Sequence, residues 1–472
     1  MRAWPDPAIE VDAVIVGAGI AGTACAGFLA QPGRRVVLID RRPLHEAGPR
    51  WINGVPAWAF PFCGLRVPEP PERRFEGATL VLATPSRRHQ LRTATPDVWA
   101  VDMRLLGERL RRLAVSWGVI MCGETRVQRL DRRSGHGWQV TTTSGTFRTP
   151  LLIDASGVRA VLRQHVMTDV RQPGPADLCS AAQAVYAIRD TAGAEAFMDR
   201  YGLRRGEALA FRGIAGGYSI VNVSVDPEAG DLSLLTGTVP DRAGVPSGMR
   251  LLQAFLAEQP WIGPRQFGGA GAIPIRRPFS RLVAPGFALV GDAACQVFPA
   301  HGSGIAMGLC AARMLADAVL AAPAGAGGDL DVLWAYAHRF HSTFGGLLCS
   351  YDVLRRAVQR FRPEDTERLV ESGLLSSASV SASLQQTMPD WDGDLLVRAV
   401  QGAARAGTLA LPLALAASRM PAVAWWARRY PRRPDERRLV AYERGLVRLM
   451  GVRPDMAGPV TPRAGELAVL LR

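Results

Sequence analysis

The feature that most constrains this chain lies near its start. An apolar run, Asp12–Val16 (DAVIV), passes directly into Gly17-Ala18-Gly19-Ile20-Ala21-Gly22. A helical pattern follows to Ala30, then Gly33 and a second apolar run, Val36–Ile39, that ends in Asp40. Strand, glycine turn, helix, strand is the order of a dinucleotide-binding βαβ unit, and here the context is right on both sides of the turn. Gly17 permits the tight turn, Gly19 lets the backbone approach a pyrophosphate, and Gly22 lets the helix pack on the strand. The helix N-terminus then faces the phosphates. Asp40 ends the second strand, where a carboxylate accepts from ribose hydroxyls. A purely structural βαβ turn is the alternative, and the acidic residue in place speaks against it.

Composition removes other chemistries. Lys and Arg together number 56 and every one is arginine. Without lysine there is no Schiff-base nucleophile and no phosphate-reaching P-loop lysine. Arginine cannot stand in for a titrating amine. The net charge of +14 favours anionic partners. No aromatic-interleaved basic stripe is present, so nucleic acid is not expected. The seven cysteines form no CxxC pair, which suits a reduced cytoplasmic chain with no metal site. No secretory leader is expected from MRAWPDPAIEVD. The length suggests two or three domains.

Further along, Ala78–Ala83 reads as a strand and Leu105–Val115 as a helix by apolar spacing. Short strands are expected at 118–122, 125–130 and 138–147, the last broken by Ser144-Gly145. An apolar strand, Leu151–Asp154, leads into Ala155-Ser156-Gly157. Leu178–Ile188, Tyr218–Val225 and Leu232–Val239 suggest an antiparallel sheet, inserted as a second layer. Phe287–Val290 is a strand ending in Gly291-Asp292-Ala293-Ala294, followed by a glycine-rich loop and a helix from Gly304 to Leu320. From Asp329 the chain reads as almost wholly helical, with residues 322–328 as the linker.

Three separated motifs stand in order: GAGIAG at 17–22 with Asp40, DASG at 154–157, and GDAACQVFPAHGSG at 291–304. Together they resemble the p-hydroxybenzoate-hydroxylase-type superfamily of FAD-dependent oxidoreductases, over roughly residues 11–320. That group contains aromatic monooxygenases, geranylgeranyl reductases and flavin-dependent halogenases. The resemblance implies an α/β fold: a Rossmann-like FAD-binding domain (1–175 and 265–322), an inserted antiparallel substrate sheet (176–264), and a helical C-terminal domain (323–472).

It also implies FAD contacts. Gly17, Gly19, Ile20, Ala21 and Gly22 would hold the pyrophosphate, with Asp40 and Arg41 at the adenosine ribose. Asp154 belongs to the turn that approaches the cofactor from the other side. Gly291 and Asp292 would meet the ribityl or pyrophosphate region. Pro299, Gly302, Gly304 and Ile305 would run along the isoalloxazine, where a helix N-terminus stabilises the negative charge of a reduced flavin. Many relatives carry Arg directly after Val-Asp before the helix near 103. Here the order is Val101-Asp102-Met103-Arg104, and Arg104 would take over that phosphate contact.

The halogenase branch carries WxWxIP and an essential lysine. The corresponding stretch here is GGYSIVNV at 216–223, and the chain lacks lysine, so halogenation is not expected. The same stretch loosely resembles GYxWxFP of geranylgeranyl reductases. DASG and Ala311-Ala312 also lean to the reductase side. Hydride reduction of a C=C bond in an isoprenoid-like, hydrophobic small molecule is therefore expected. Two readings stay open beside it: a monooxygenase that hydroxylates or epoxidises its substrate, and a non-enzymatic prenyl-binding escort protein of the same fold. No separate nicotinamide domain is visible, so NAD(P)H is expected as a transient electron donor.

Without lysine, the candidate catalytic proton sources are His301, Tyr218, carboxylates, thiols or water. His301 sits in the flavin loop, as a proton donor or as a loop histidine bonded to backbone. Cys295 is read as buried and apolar rather than redox-active. Trp51, Trp58, Phe60 and Phe62 either wall the site or cap a core. Arg276 and Arg277 read as a surface pair, with a contact to an anionic substrate or NAD(P)H phosphate as the alternative. Residues 407–438 join an apolar run, Trp425 and Trp426 to an arginine cluster. That is either a buried helix pair with a solvated basic end or an interfacial membrane patch, giving a cytoplasmic protein with peripheral membrane contact in the second case.

Overall fold

The computed structural model of the chain describes residues 8–31, 33–86, 89–133, 137–323, 325–389, 393–456 and 468–470. The first seven residues, part of the leader-free reading, and Ala324 of the expected linker lie outside the described residues.

The apolar runs form one six-stranded sheet. Its order is Val283–Ala284, Phe287–Leu289, Leu151–Asp154, Ala13–Val16, Val36–Ile39, Ile120–Cys122. All neighbours are parallel except the first pair. The four longest runs are buried at every position or nearly so, as strands covered on both faces must be. Helices Ile20–Ala30 and Ile305–Leu320 lie against this sheet and against each other. They approach closely because the residues between them are small. A Cβ on Gly308 would stand 3.1 Å from the Ala21 Cβ, and one on Gly291 would stand 3.0 Å from it.

A second sheet has seven strands in the order Ile262–Pro274, Leu178–Ile188, Asp231–Thr238, Ser219–Asp226, Glu207–Arg212, Ala78–Ala83, Gln90–Thr95. The three strands read from sequence are present. The expected boundaries need correction. Strands 78–83 and 90–95 belong to this sheet and not to the first layer, and the boundary at 265 falls inside a strand. The layer is therefore built from two excursions of the chain. Its strands alternate with period two. Leu209, Phe211, Val221, Val223, Leu232 and Leu234 bury one face under helices Thr191–Tyr201 and Gly248–Ala257. The other face carries Ala208, Ala210, Arg212, Ile220, Asn222, Ser233 and Leu235, and floors a cavity.

The region after Asp329 is helical among the described residues, except for Ala468–Leu470, which joins the edge of a third sheet beside Val127–Arg132. Val400–Ala427 is, by length and composition alone, apolar enough to cross a membrane. Two sides of its last helix, Ala410–Ala427, are already engaged. Ala416, Met420, Val423 and Ala427 are buried, and Gly346 of helix Gly346–Val358 packs on the Ala424 carbonyl.

Arg276 and Arg277 are not a surface pair. Both are buried in an ion cluster, Arg276 with Asp455 at 2.6 Å and Arg277 with Glu443 at 2.8 Å and Asp455 at 2.9 Å. Pairing of this kind offsets the cost of burying a guanidinium.

Candidate functional site

A cavity of about 1500 Å³ runs from the glycine turn across the seven-stranded sheet to the C-terminal helices. A single-ligand pocket is typically ~300–1,000 Å³, so this one has room for a large cofactor and a substrate together.

The glycine turn opens it. Gly17 has φ +112°, and a Cβ there would stand 2.2 Å from the Ala155 carbonyl oxygen, so the turn and the 155–157 segment need each other's closeness. A Cβ on Gly22 would meet the Gly17 carbonyl oxygen at 1.9 Å. Gly19 is different. Its nearest protein atom would be Gly48 Cα at 3.9 Å, so no packing contact inside the protein demands a glycine there. The space beside it is ligand space. Gly19 is also the N-cap of helix Ile20–Ala30 with no side-chain cap, leaving the N–H groups of its first turn, Ile20, Ala21 and Gly22, directed to the cavity they line. Asp40 ties the turn to the second strand. Its Oδ2 accepts from the Ala18 N–H at 2.8 Å and its Oδ1 from the Arg42 N–H at 2.9 Å. Each oxygen keeps a lone pair for a ribose hydroxyl. Arg41 and Arg42 are exposed at the cavity rim.

The second helix N-terminus lies opposite. Gly291, Asp292, Gly302, Ser303, Gly304 and Ile305 line the cavity, and helix Ile305–Leu320 also lacks a side-chain cap. Gln296 fixes this loop, accepting from the Gly291 N–H at 2.8 Å and donating to Tyr336 Oη at 2.7 Å. A Cβ on Gly304 would stand 2.9 Å from Asp292 Oδ1, so the glycine makes room for the carboxylate. Among the described residues that carboxylate has no hydrogen-bond partner, and burial raises its pKa to about 6. An unpartnered carboxylate, two uncapped helix N-termini and the vacant flank of Gly19 fit FAD. The Gly19–Gly22 amides would hold its pyrophosphate and Asp292 its polyol hydroxyls.

Several expected contacts are corrected. Asp154 does not face the cavity. It is fully buried, and its oxygens accept from the Ser156 N–H and Oγ and the Leu162 and Arg163 N–H groups. It shapes the turn, and Ala155, Ser156 and Gly157 present that turn to the cavity. Arg104 does not line the cavity. Asp102 caps helix Met103–Ser116 and holds the Arg104 guanidinium at 2.7 Å, which lies 3.2 Å over the Phe267 ring. Pro299 is buried in the loop and lines nothing, while its neighbours Ala300 and His301 do.

His301 lines the cavity with both ring nitrogens engaged by backbone. Burial lowers its pKa to about 4, so the ring is neutral near pH 7. Nδ1 accepts from the Ser303 N–H at 3.3 Å, so Nε2 carries the proton and donates to the Ser383 carbonyl at 3.0 Å. The ring stacks on Phe298. Cys295 is buried, and burial pushes its thiol up to about 12. Tyr218 lies against the loop, its hydroxyl 3.4 Å from where a Gly302 Cβ would stand. Burial raises its pKa far above the ordinary value, keeping the phenol protonated. Trp51 lines the cavity, whereas Trp58 and Phe62 cluster with Phe344 and Phe60 is core.

Sequence reading missed three contributors. Arg212 reaches the cavity from a short strand, Asn53 from the strand Ile52–Pro56, and Ser379, Val380 and Ser383 from helix Ser377–Gln385, which roofs it. The only available signal for Arg212 was a charge ending an alternating apolar strand.

Residues 15–59 match the model of a NAD(P)-binding Rossmann-like domain. A digeranylgeranylglycerophospholipid reductase of Methanothrix thermoacetophila is 24% identical over 77% of this chain and 91% of its own length. The menaquinone reductase of Mycolicibacterium smegmatis is 26% identical over 82% and 95%. Among solved structures, a geranylgeranyl bacteriochlorophyll reductase-like protein from Thermoplasma acidophilum superposes with a TM-score of 0.66, covering 84% of this chain and 96% of that one at 15% identity. With the cradle and the sheet order in place, these likenesses converge: in sequence and fold the chain resembles the FAD-dependent oxidoreductases.

Proposed function

We propose that this protein reduces a carbon–carbon double bond of an isoprenoid chain, with NAD(P)H as the donor that reloads the flavin. The observation that carries the reading is the continuity of the cavity. From the flavin loop it passes Leu354, Val358, Leu369 and Leu384 and ends among Leu413, Ala417 and Met420. That path suits a long, flexible apolar molecule rather than a compact aromatic one. The named reductases among its relatives support the same choice.

Bound FAD supplies the hydride. The chain's own residues do the rest. The small residues of the sheet floor, Ala208, Ala210 and Ser233, leave a flat bed for the isoprenoid. Helix Ser377–Gln385 closes over it and excludes water. Tyr218, held protonated beside the loop, delivers a proton to the carbon that does not receive hydride. Hydride and proton together amount to one added dihydrogen.

We further propose peripheral contact with an anionic membrane through 407–438. Leu411, Leu415 and Trp425 form an exposed stripe on helix Ala410–Ala427, opposite the side that lines the cavity. Exposed arginines 428, 429, 432, 433, 437 and 438 flank it, with Arg429 3.5 Å over the Trp425 ring.

The test is anaerobic. NAD(P)H should bleach the yellow protein, and addition of a polyprenyl substrate should restore the oxidised spectrum with saturation of one bond per flavin. An oxygen-dependent C4a-adduct spectrum coupled to hydroxylated product would replace this reading with the monooxygenase one.

A further inference from the structure

We propose that residues 359–361 of the helical region are a seat for Tyr218, and that Gly217 is the positioning residue through which they act. The use of Tyr218 as a proton donor rests on the reading above. Its placement by the seat rests on the packing of the hairpin turn that precedes it.

That turn joins strands Glu207–Arg212 and Ser219–Asp226. It closes on itself: the Gly213 N–H donates to the Ser219 carbonyl at 2.8 Å and the Ala215 N–H to Ser219 Oγ at 3.0 Å. Gly217 has φ +54°, a conformation that Asn or Asp also adopts. Space is what demands a glycine there. A Cβ on Gly217 would stand 2.3 Å from the Gln359 carbonyl oxygen, and one on Gly216 would stand 3.2 Å from that of Phe361. The Gly217 N–H donates to the same Phe361 carbonyl at 2.7 Å. Two carbonyls of one segment thus hold Gly217 at its nitrogen and its α carbon, and Tyr218 is the next residue.

The seat is itself anchored. Gln359 follows helix Gly346–Val358, and its side chain accepts from Arg355 and donates to Asp241 Oδ2 at 2.8 Å and to the Ala176 carbonyl at 3.2 Å. Phe361 packs with Leu369, Ala406 and Leu409 in a small core of the helical region. Asp241 lies two residues after Val239, whose N–H donates to the Tyr218 carbonyl at 3.2 Å. The helical region therefore reaches Tyr218 from two sides, through the glycine before it and through the strand end paired with it. Among the described residues the phenol hydroxyl has no hydrogen-bond partner, so the ring is aimed from its base and not held at its tip. That hydroxyl must lie beside the flavin loop, near Gly302. A misplacement of ~1 Å at a reacting group can cost ~10²-fold in rate.

The test places a fluorotyrosine at position 218 of the FAD-loaded protein and follows its phenol through a pH titration by fluorine resonance. With the seat intact the phenol is desolvated and resists titration. Gly217→Ala should free the ring, so that the phenol titrates at least ~1 pH unit lower. Gly230→Ala is the control: its φ is +67° and nothing lies within 4 Å of its Cβ position, so it carries backbone strain without the seat and should leave the titration unchanged. Reduction of detergent-dispersed geranylgeraniol should fall ~10-fold or more in Gly217→Ala. In a Tyr218→Phe background the same change should cost nothing further, as expected when one residue acts through the other. An unchanged titration in Gly217→Ala, an equal shift in Gly230→Ala, or an added loss in the Tyr218→Phe background overturns the proposal. Should Gly217→Ala fail to fold, Gln359→Met, which releases Asp241, takes its place with the same expected direction, and an unchanged titration there overturns the proposal equally. Full turnover by Tyr218→Phe, or no reduction of the probe by the unaltered protein, counts against the reading above, and the titration still decides the seat.

Discussion

The imidazole of His301 donates through Nε2 to the Ser383 carbonyl at 3.0 Å, and so pins the flavin loop to the helix that roofs the cavity. Trp58 Nε1 donates to the Gln385 carbonyl at 2.9 Å and Tyr351 Oη to that of Thr387 at 2.8 Å, so the end of the roof hangs from three bonds. His301→Phe should cost about 1 kcal/mol of stability, because the Ser383 carbonyl loses the bond that ties it to the loop and keeps only the Gln386 N–H at 3.1 Å. Hydrogen exchange over 377–387 should accelerate while flavin content holds. If exchange there is unchanged and turnover alone collapses, the ring is working as an acid after all.

Gly17 and Gly19 look alike in sequence and differ in what they face. Gly17→Ala forces a left-handed residue into the Ala155 carbonyl and should destabilise the fold with or without flavin. Gly19→Ala meets no protein atom within 3.4 Å and should leave the melting temperature of the flavin-free protein nearly unchanged. Its flavin affinity should fall by at least ~10-fold, since the methyl occupies ligand space. Equal flavin affinity for Gly19→Ala would move the pyrophosphate elsewhere.

That contrast shows how much was legible. The turns of the first layer could be read because their glycines answer local backbone demands, and the strands beside them are unbroken apolar runs. Arg276 and Arg277 could not be, since their partners Asp455 and Glu443 lie more than 150 residues away. Strand Ile262–Pro274 hid behind its own glycines, which neither alternate nor carry β-branched residues. Asp154 was readable as part of a motif but not in its direction. Four donors in the 156–163 turn compete for the carboxylate and turn it inward. Arg212 stands out only once the strands are paired and its lack of a counter-ion is visible.

Asp292 gives the site a pH signature. Burial raises its folded pKa to about 6, above the ordinary value of 3.8. Between those values the folded chain binds more protons than the unfolded one, so this residue's contribution to stability falls as pH rises. His301 has the opposite slope: its folded pKa is about 4 against 6.5, so its contribution is lost as pH falls. The two offset each other in the unaltered, flavin-free protein. Asp292→Asn should separate them. Its melting temperature, relative to the unaltered protein, should rise from pH 4 to pH 7, and its flavin affinity should drop. A difference independent of pH would mean that Asp292 is not desolvated.

Tyr218 is the proton source closest to the loop that is both protonated and unpartnered among the described residues. Tyr218→Phe removes one oxygen and leaves the packing against Gly302 and Ile275. Turnover should fall by ~10²-fold or more, the range of general acid catalysis. Flavin content and the rate of anaerobic bleaching by NAD(P)H should not change, because neither step needs the phenol. Slower bleaching with normal product formation would assign Tyr218 to the donor.

The stripe Leu411, Leu415, Trp425 shares a helix with cavity-lining Leu413, Ala417 and Met420, so one element meets both the substrate path and the outside. Leu411 is 64% exposed and Trp425 53%, a cost for which the protein alone offers no return. Vesicles containing phosphatidylserine should sediment the protein, and vesicles of phosphatidylcholine alone should do so poorly, since the arginines need anionic headgroups. Leu411→Glu with Leu415→Glu should abolish sedimentation, and because both side chains point away from the cavity, reduction of a detergent-dispersed substrate should persist. Sedimentation that survives the double change, or is equal on both kinds of vesicle, would leave this stripe without a membrane role.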